Sequence, residues 1–85
     1  MKIKNTKNDN GLNEIYYDNG KIAKKYYKKG GKRDGLYQRW HNNGQLKFEG
    51  LYKDGKSNGL LRAWHPDGKL DWESTYKDGK LISDN

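Results

Sequence analysis

The chain has no cysteine, one proline, one phenylalanine and no apolar run as long as seven residues. Without cysteine there are no disulfides and no thiolate metal sites, and a reducing compartment is permitted. Without an apolar run there is no visible signal peptide and nothing approaching a membrane span, so the expected setting is soluble and cytoplasmic. Only 31% of the 85 residues are hydrophobic against 34% charged, too little apolar material for the core of a two-layer enzyme fold. What is present instead is three tryptophans, seven tyrosines and 11 glycines. That mixture separates the chain from disordered segments and points to short strands joined by tight turns.

The formal charge is +7, and the surplus lies in the N-terminal half. Its densest part is Lys24, Lys25, Lys28, Lys29, Lys32 and Arg33. Such a cluster can attract phosphate, anionic lipid or an acidic protein surface through counterion release and steering. A solvated lysine-rich edge that keeps an open sheet soluble accounts for it equally simply.

Self-comparison reveals a period of 24 residues. Gly11, Gly35 and Gly59 share it, as do Gly20, Gly44 and Gly68, and Gly31, Gly55 and Gly79. Tyr16, Trp40 and Trp64 align, followed by Tyr17, His41 and His65, then Ile22, Leu46 and Leu70. Tyr52 aligns with Tyr76, and Tyr27 is the expected first-copy counterpart, with one extra residue in the KKGG turn. The glycines divide each copy into two extended segments with no helical periodicity, so the unit reads as a β-hairpin. The expected fold is all-β: a single-layer antiparallel meander of about six to seven strands, built from three 24-residue hairpin repeats. Residues 1–10 are expected to form a partial repeat or flexible arm, 11–82 the repeat domain and 83–85 a tail.

Turn chemistry sets an expected register. In His65-Pro66-Asp67-Gly68-Lys69 a type I turn with glycine in a left-handed bulge pairs His65 with Lys69, Trp64 with Leu70 and Arg62 with Trp72. Strand alternation then puts Leu60, Trp64, Leu70, Trp72 and Tyr76 on one face, and Leu36, Trp40, Leu46, Phe48 and Tyr52 with them. A bulged turn at Lys53-Asp54-Gly55 sets Phe48 opposite Leu60 and continues the aromatic face. A two-residue Asp-Gly turn would shift that register by one. In the first copy Lys24 stands at the place of Phe48 and Trp72.

The segment GLYQRWHNNGQLKFEGLYKDGKSNG and its successor GLLRAWHPDGKLDWESTYKDGK resemble bacterial variants of the MORN repeat over about residues 11–80. The second aromatic of that pattern stands as Trp40 and Trp64, its Asn-Gly as Asn19-Gly20 and Asn43-Gly44, and its acidic position as Glu49 and Glu73. Its closing element stands as Tyr52-Lys53-Asp54-Gly55 and Tyr76-Lys77-Asp78-Gly79. The resemblance implies successive hairpins in an elongated twisted sheet, with protein binding, self-association or acidic-lipid binding as functions. Many bacterial variants carry the label of antitoxin. The eukaryotic signature is absent here, which lowers the weight of the lipid reading.

Motifs that suggest chemistry have plainer explanations. Gly50 to Ser57 spells a phosphate-loop expression, but that mechanism needs a helix after the loop, and the third copy repeats the segment at Ser74 to Leu81 as a hairpin turn. His41 and His65 sit one repeat apart at turn rims where the first copy has Tyr17, which suits a ring that bonds a turn rather than a metal ligand or acid-base group. With no nucleophile, base and orienting group in company, the chain is expected to be no enzyme and to need no cofactor.

The expected function is a non-enzymatic protein-binding module that masks a partner, as an antitoxin, immunity protein or small inhibitor does. The expected contact set is Trp40, Phe48, Tyr52, Arg62, Trp64, Trp72 and Tyr76, since Trp and Arg predominate in binding hot spots. Positive charge points to an acidic partner surface and against a DNA mimic. Binding of nucleic acid through stacking and the 24–33 cluster is the alternative, and a self-assembling or dimeric repeat fragment is a third. A membrane is the least favoured partner.

Overall fold

Turn-forming residues cut this chain into extended pieces of five to nine residues, too short to bury anything alone and able to satisfy their backbone groups only by pairing with the next piece. The computed structural model describes residue 5 and residues 7–84. The strands are β1 (Gly11–Tyr16), β2 (Ile22–Lys29), β3 (Lys32–Trp40), β4 (Leu46–Lys53), β5 (Lys56–Trp64), β6 (Leu70–Lys77) and β7 (Lys80–Asp84). They form one antiparallel sheet in chain order, and the described residues contain no helix. With Cα extents of 44 × 35 × 10 Å the sheet is a single layer, the all-β meander of hairpin repeats that the period implies.

Of the expected N-terminal arm, residues 1–4 and 6 lie outside the described residues, as does residue 85 of the expected tail. The described part of the arm lies against β1. Asn8 donates its backbone N–H to Asn13 Oδ1, Asn13 Nδ2 donates back to Asn8 O at 2.8 Å, and Tyr16 N donates to Asn5 Oδ1 at 2.9 Å. These bonds occupy groups of an edge strand that would otherwise be open to another chain.

Two kinds of turn alternate. At one end of the sheet Tyr17, His41 and His65 donate their N–H to Lys21, Gln45 and Lys69 O at 2.8, 2.8 and 2.9 Å, and Gly68 has φ +91°. Trp64 pairs with Leu70, as the Pro-Asp-Gly chemistry implies. At the other end Gly30-Gly31, Asp54-Gly55 and Asp78-Gly79 all have positive φ, the signature of two-residue type I′ hairpins. The bulged turn expected at Lys53-Asp54-Gly55 is therefore corrected: Lys53 pairs directly with Lys56. Gly30-Gly31 occupies the same place without an insertion. Lys28 pairs with Arg33 as Tyr52 pairs with Ser57, so Lys28, not Tyr27, is the counterpart of Tyr52.

A second correction concerns which side chains share a face. Just after each long turn the even-numbered strand carries one extra residue: Tyr16 pairs with Ile22 but Ile15 with Lys24, Trp40 with Leu46 but Arg39 with Phe48, and Trp64 with Leu70 but Ala63 with Trp72. Ala23, Lys47 and Asp71 are these bulge residues, and a single inserted residue moves every later side chain to the opposite face. Trp72 thus lies opposite Ala63, not Arg62, and Phe48 also lies opposite Ala63, not Leu60. The expected single aromatic stripe is divided. Phe48, Tyr52, Trp72 and Tyr76 take one face, and Trp40, Trp64, Leu36, Leu46, Leu60 and Leu70 take the reverse.

The core is one row across the sheet. Asn13, Tyr26, Tyr37, Gly50, Leu61 and Ser74 are successive cross-strand partners, and Asn13, Tyr37, Leu61 and Ser74 are 1%, 5%, 6% and 6% exposed. Gly50 is required for space: a Cβ there would lie 3.0 Å from Leu61 Cγ and 3.2 Å from Phe48 Cζ. Gly50→Ala is therefore expected to lower unfolding free energy by about 1–3 kcal/mol, read as a lower denaturant midpoint at unchanged slope.

Candidate binding faces

The first face gathers rings around Tyr37. Tyr26, Tyr52 and Phe48 lie at centroid distances of 5.3, 5.6 and 5.9 Å from it, and Trp72 lies 6.2 Å from Phe48 across Ala63. β2, β3 and β6 supply one ring each and β4 two, because the bulges at Lys47 and Asp71 turn Phe48 and Trp72 toward the tyrosines. The Arg33 guanidinium stacks 4.6 Å above Tyr37 and 5.6 Å above Tyr52. Tilted rings at these separations contribute about 0.5–1.5 kcal/mol per pair beyond simple burial.

This face also has a polarity along the sheet. In the row after the core row, Lys24, Arg39, Phe48, Ala63 and Trp72 are successive partners, so cations at one side give way to rings at the other. Lys28 and Arg33 add to the cationic side. Among residues at paired register positions, Asp84, opposite Ser74, is the one carboxylate on this face. The Ser74 hydroxyl donates to its Oδ1 at 2.6 Å.

The reverse face is different in kind. Lys25, Gln38, Glu49, Arg62 and Glu73 are successive partners, a row of matched polar groups. Gln38 Nε2 donates to Glu49 Oε2 at 2.9 Å, and Arg62 Nε donates to Glu73 Oε2. Arg62, expected in the contact set, is thus paired within the sheet. Leu36, Leu51, Leu60, Glu49 and Arg62 line a shallow hollow of about 170 Å³ on this side. The sequence-predicted basic cluster is divided as well: Lys24, Lys28 and Arg33 share the ring face, and Lys25, Lys29 and Lys32 the reverse.

The ring at the first turn position has a bonding role that the tyrosine and histidine share. Tyr17 Oη donates to Trp40 O, and His41 Nε2 donates to Trp64 O at 2.9 Å. Asn19 and Asn43 add a second rung, each donating Nδ2 to the next turn, to Asn42 O at 3.2 Å and Pro66 O at 2.9 Å. The carbonyls of Trp40 and Trp64 are therefore tied to the preceding repeat, a role sequence reasoning missed because it had assigned those residues by ring alone. Among the described residues, no three of His, Cys, Asp or Glu converge as metal ligands would. Gly50 to Ser57 is the β4–β5 hairpin.

A family model described as MORN repeat variant matches residues 9–29, 33–54 and 57–78. The three matched spans coincide with the three hairpins β1–β2, β3–β4 and β5–β6. No curated protein and no solved structure matches the chain.

Removing the guanidinium that caps the ring cluster tests its contribution. Arg33→Ala is expected to cost about 0.5–1 kcal/mol, whereas Lys32→Ala one residue away should be near neutral. Chemical unfolding of the two variants beside the parent checks this.

Proposed function

Since the chain belongs to the MORN repeat variant family, whose repeats generally serve as non-catalytic modules for binding proteins or membranes, we propose that it is a protein-binding module that masks an acidic partner surface, as an antitoxin, immunity protein or small inhibitor does. The observation that carries this is the composition of the ring face. Trp72 is 41% exposed and Phe48 and Tyr52 are half-buried beside it, while Lys24, Lys28 and Arg39 lie on the same side.

A rigid aromatic anchor next to unmatched cations suits a partner that offers an apolar socket beside carboxylates. The centre of the reverse face suits it less, because Glu49 and Arg62 are already bonded across strands to Gln38 and Glu73. Trp40 and Trp64 leave the contact set on this reading, and Tyr26, Lys24, Lys28 and Arg39 join Phe48, Tyr52, Trp72 and Tyr76. A cytoplasmic partner belongs to the same proposal, since a chain without cysteine needs no oxidising compartment to fold.

The test compares two double variants in affinity capture from the native host. Arg39→Glu with Trp72→Ala is expected to abolish recovery of the partner, and Trp40→Ala with Trp64→Ala to preserve it, both remaining folded by circular dichroism. Loss only in the second pair would place the contact on the wrong face and sink the proposal. Partner retention between 50 and 200 mM salt is also expected, since a contact anchored on rings loses little over a range in which phosphate contacts weaken steeply.

A further inference from the structure

The residues that flank the two-residue turns form a second feature, on the reverse face and independent of the protein-docking reading. Lys29 pairs with Lys32, Lys53 with Lys56 and Lys77 with Lys80. Each lies one position beyond a ring-face residue, so all six fall on the reverse side, one per strand from β2 to β7. All six are exposed, and none takes part in the ion pairs found among the described residues. Adjacent strands lie about 4.8 Å apart, so the six lysines form a row along one end of the sheet that steps at each repeat, Lys32 lying beside Gly55 and Lys56 beside Gly79.

Like charges placed directly opposite each other across strands are destabilising, and this arrangement repeats at three successive hairpins. Elsewhere on the same face charged groups have partners, Glu49 accepting from Gln38 and Arg62 pairing with Glu73. A local rule broken three times in register, beside a row that obeys it, marks a surface shaped for something other than stability. Between consecutive turns the row is concave: Lys53, Asp54, Lys56, Asn58, Lys77 and Asp78 line a polar hollow of about 440 Å³.

We infer that this lysine row binds the phosphate backbone of a single-stranded nucleic acid, without sequence preference, the phosphates running along the lysines at the rim of the hollow and clear of Asp54 and Asp78. A line of cations fits a linear polyanion. A flat anionic membrane fits it poorly, because Asp54 and Asp78 sit at the turn tips beyond the lysines and would meet such a surface first. A single strand can adjust its phosphate spacing to the strand spacing of the sheet, which a duplex of fixed geometry cannot.

The experiment is fluorescence anisotropy of a labelled 20-nucleotide oligothymidylate from 50 to 200 mM salt. With four lysines of the row engaged, affinity should fall about fifty-fold over that range. Lys53→Gln with Lys77→Gln should weaken binding at 50 mM and reduce the fall to about seven-fold. The control Lys21→Gln with Lys69→Gln removes the same charge at the other end of the sheet and should leave both quantities within about two-fold, as should Trp72→Ala on the ring face. Absence of binding at 50 mM, equal weakening by the control pair, or tighter binding to phosphatidylserine vesicles than to the oligonucleotide at equal phosphate concentration would each overturn the inference.

Discussion

A sheet one layer thick has no second layer to cover it, and every stabilising contact in this protein answers to that constraint. The core row of Asn13, Tyr26, Tyr37, Gly50, Leu61 and Ser74 is buried by its own neighbours on the same face. Tyr37 supplies the centre, ringed by Tyr26, Phe48 and Tyr52 and capped by Arg33. Gly50 supplies the space into which Leu61 and Phe48 close. Asn13, the most deeply buried residue, is polar, and it is tolerated because its amide bonds the backbone of Asn8 and Gly11.

The bulges at Ala23, Lys47 and Asp71 convert a repeat that would present one mixed surface into two surfaces of different character. By reversing the side-chain alternation once per hairpin, the bulges send Lys24, Phe48 and Trp72 to the ring face and leave Tyr16, Trp40 and Trp64 on the reverse. Phe48, Tyr52, Trp72 and Tyr76 therefore share one side with Lys24 and Arg39, and the Gln38–Glu49 and Arg62–Glu73 pairs share the other with the row of lysines at its end. A protein-binding role for the first and an electrostatic role for the lysine row of the second do not compete, since they use opposite faces.

The two ends of the sheet are held differently. At the long turns, side chains bridge consecutive repeats, with Tyr17 and His41 bonded to the tryptophan carbonyls of the next copy. At the short turns the repeated bridge is made by backbone: Gly31, Gly55 and Gly79 N–H groups reach Asp9, Arg33 and Ser57 O at 2.9, 2.8 and 2.8 Å, and Asn10 and Asn58 Oδ1 accept from Gly30 and Asp78 N–H at 2.7 and 3.4 Å. The lysines beside these turns make none of those bonds, and the stems of Lys32 and Lys56 lie over Gly55 and Gly79. Asp67 ends the amide ladder, because a carboxylate accepts the Lys69 N–H of its own turn at 3.0 Å but has no N–H to pass onward.

The amino-acid sequence alone determined the period, the places where the chain turns, the meander and the bonding role of the His41 position, because glycines that need positive φ and rings at a fixed spacing are local signals. The pairing of Trp64 with Leu70 was legible for the same reason. The face each ring occupies was decided only in the tertiary structure. A one-residue bulge costs little locally and leaves no residue signature, since Ala23, Lys47 and Asp71 have nothing in common, yet it inverts everything after it. The two-residue turn at Asp54-Gly55 prevailed over the bulged one because both residues can take left-handed backbone and the primed turn matches the strand twist. Burial of Tyr37 among Tyr26, Phe48 and Tyr52 followed from the register those choices set.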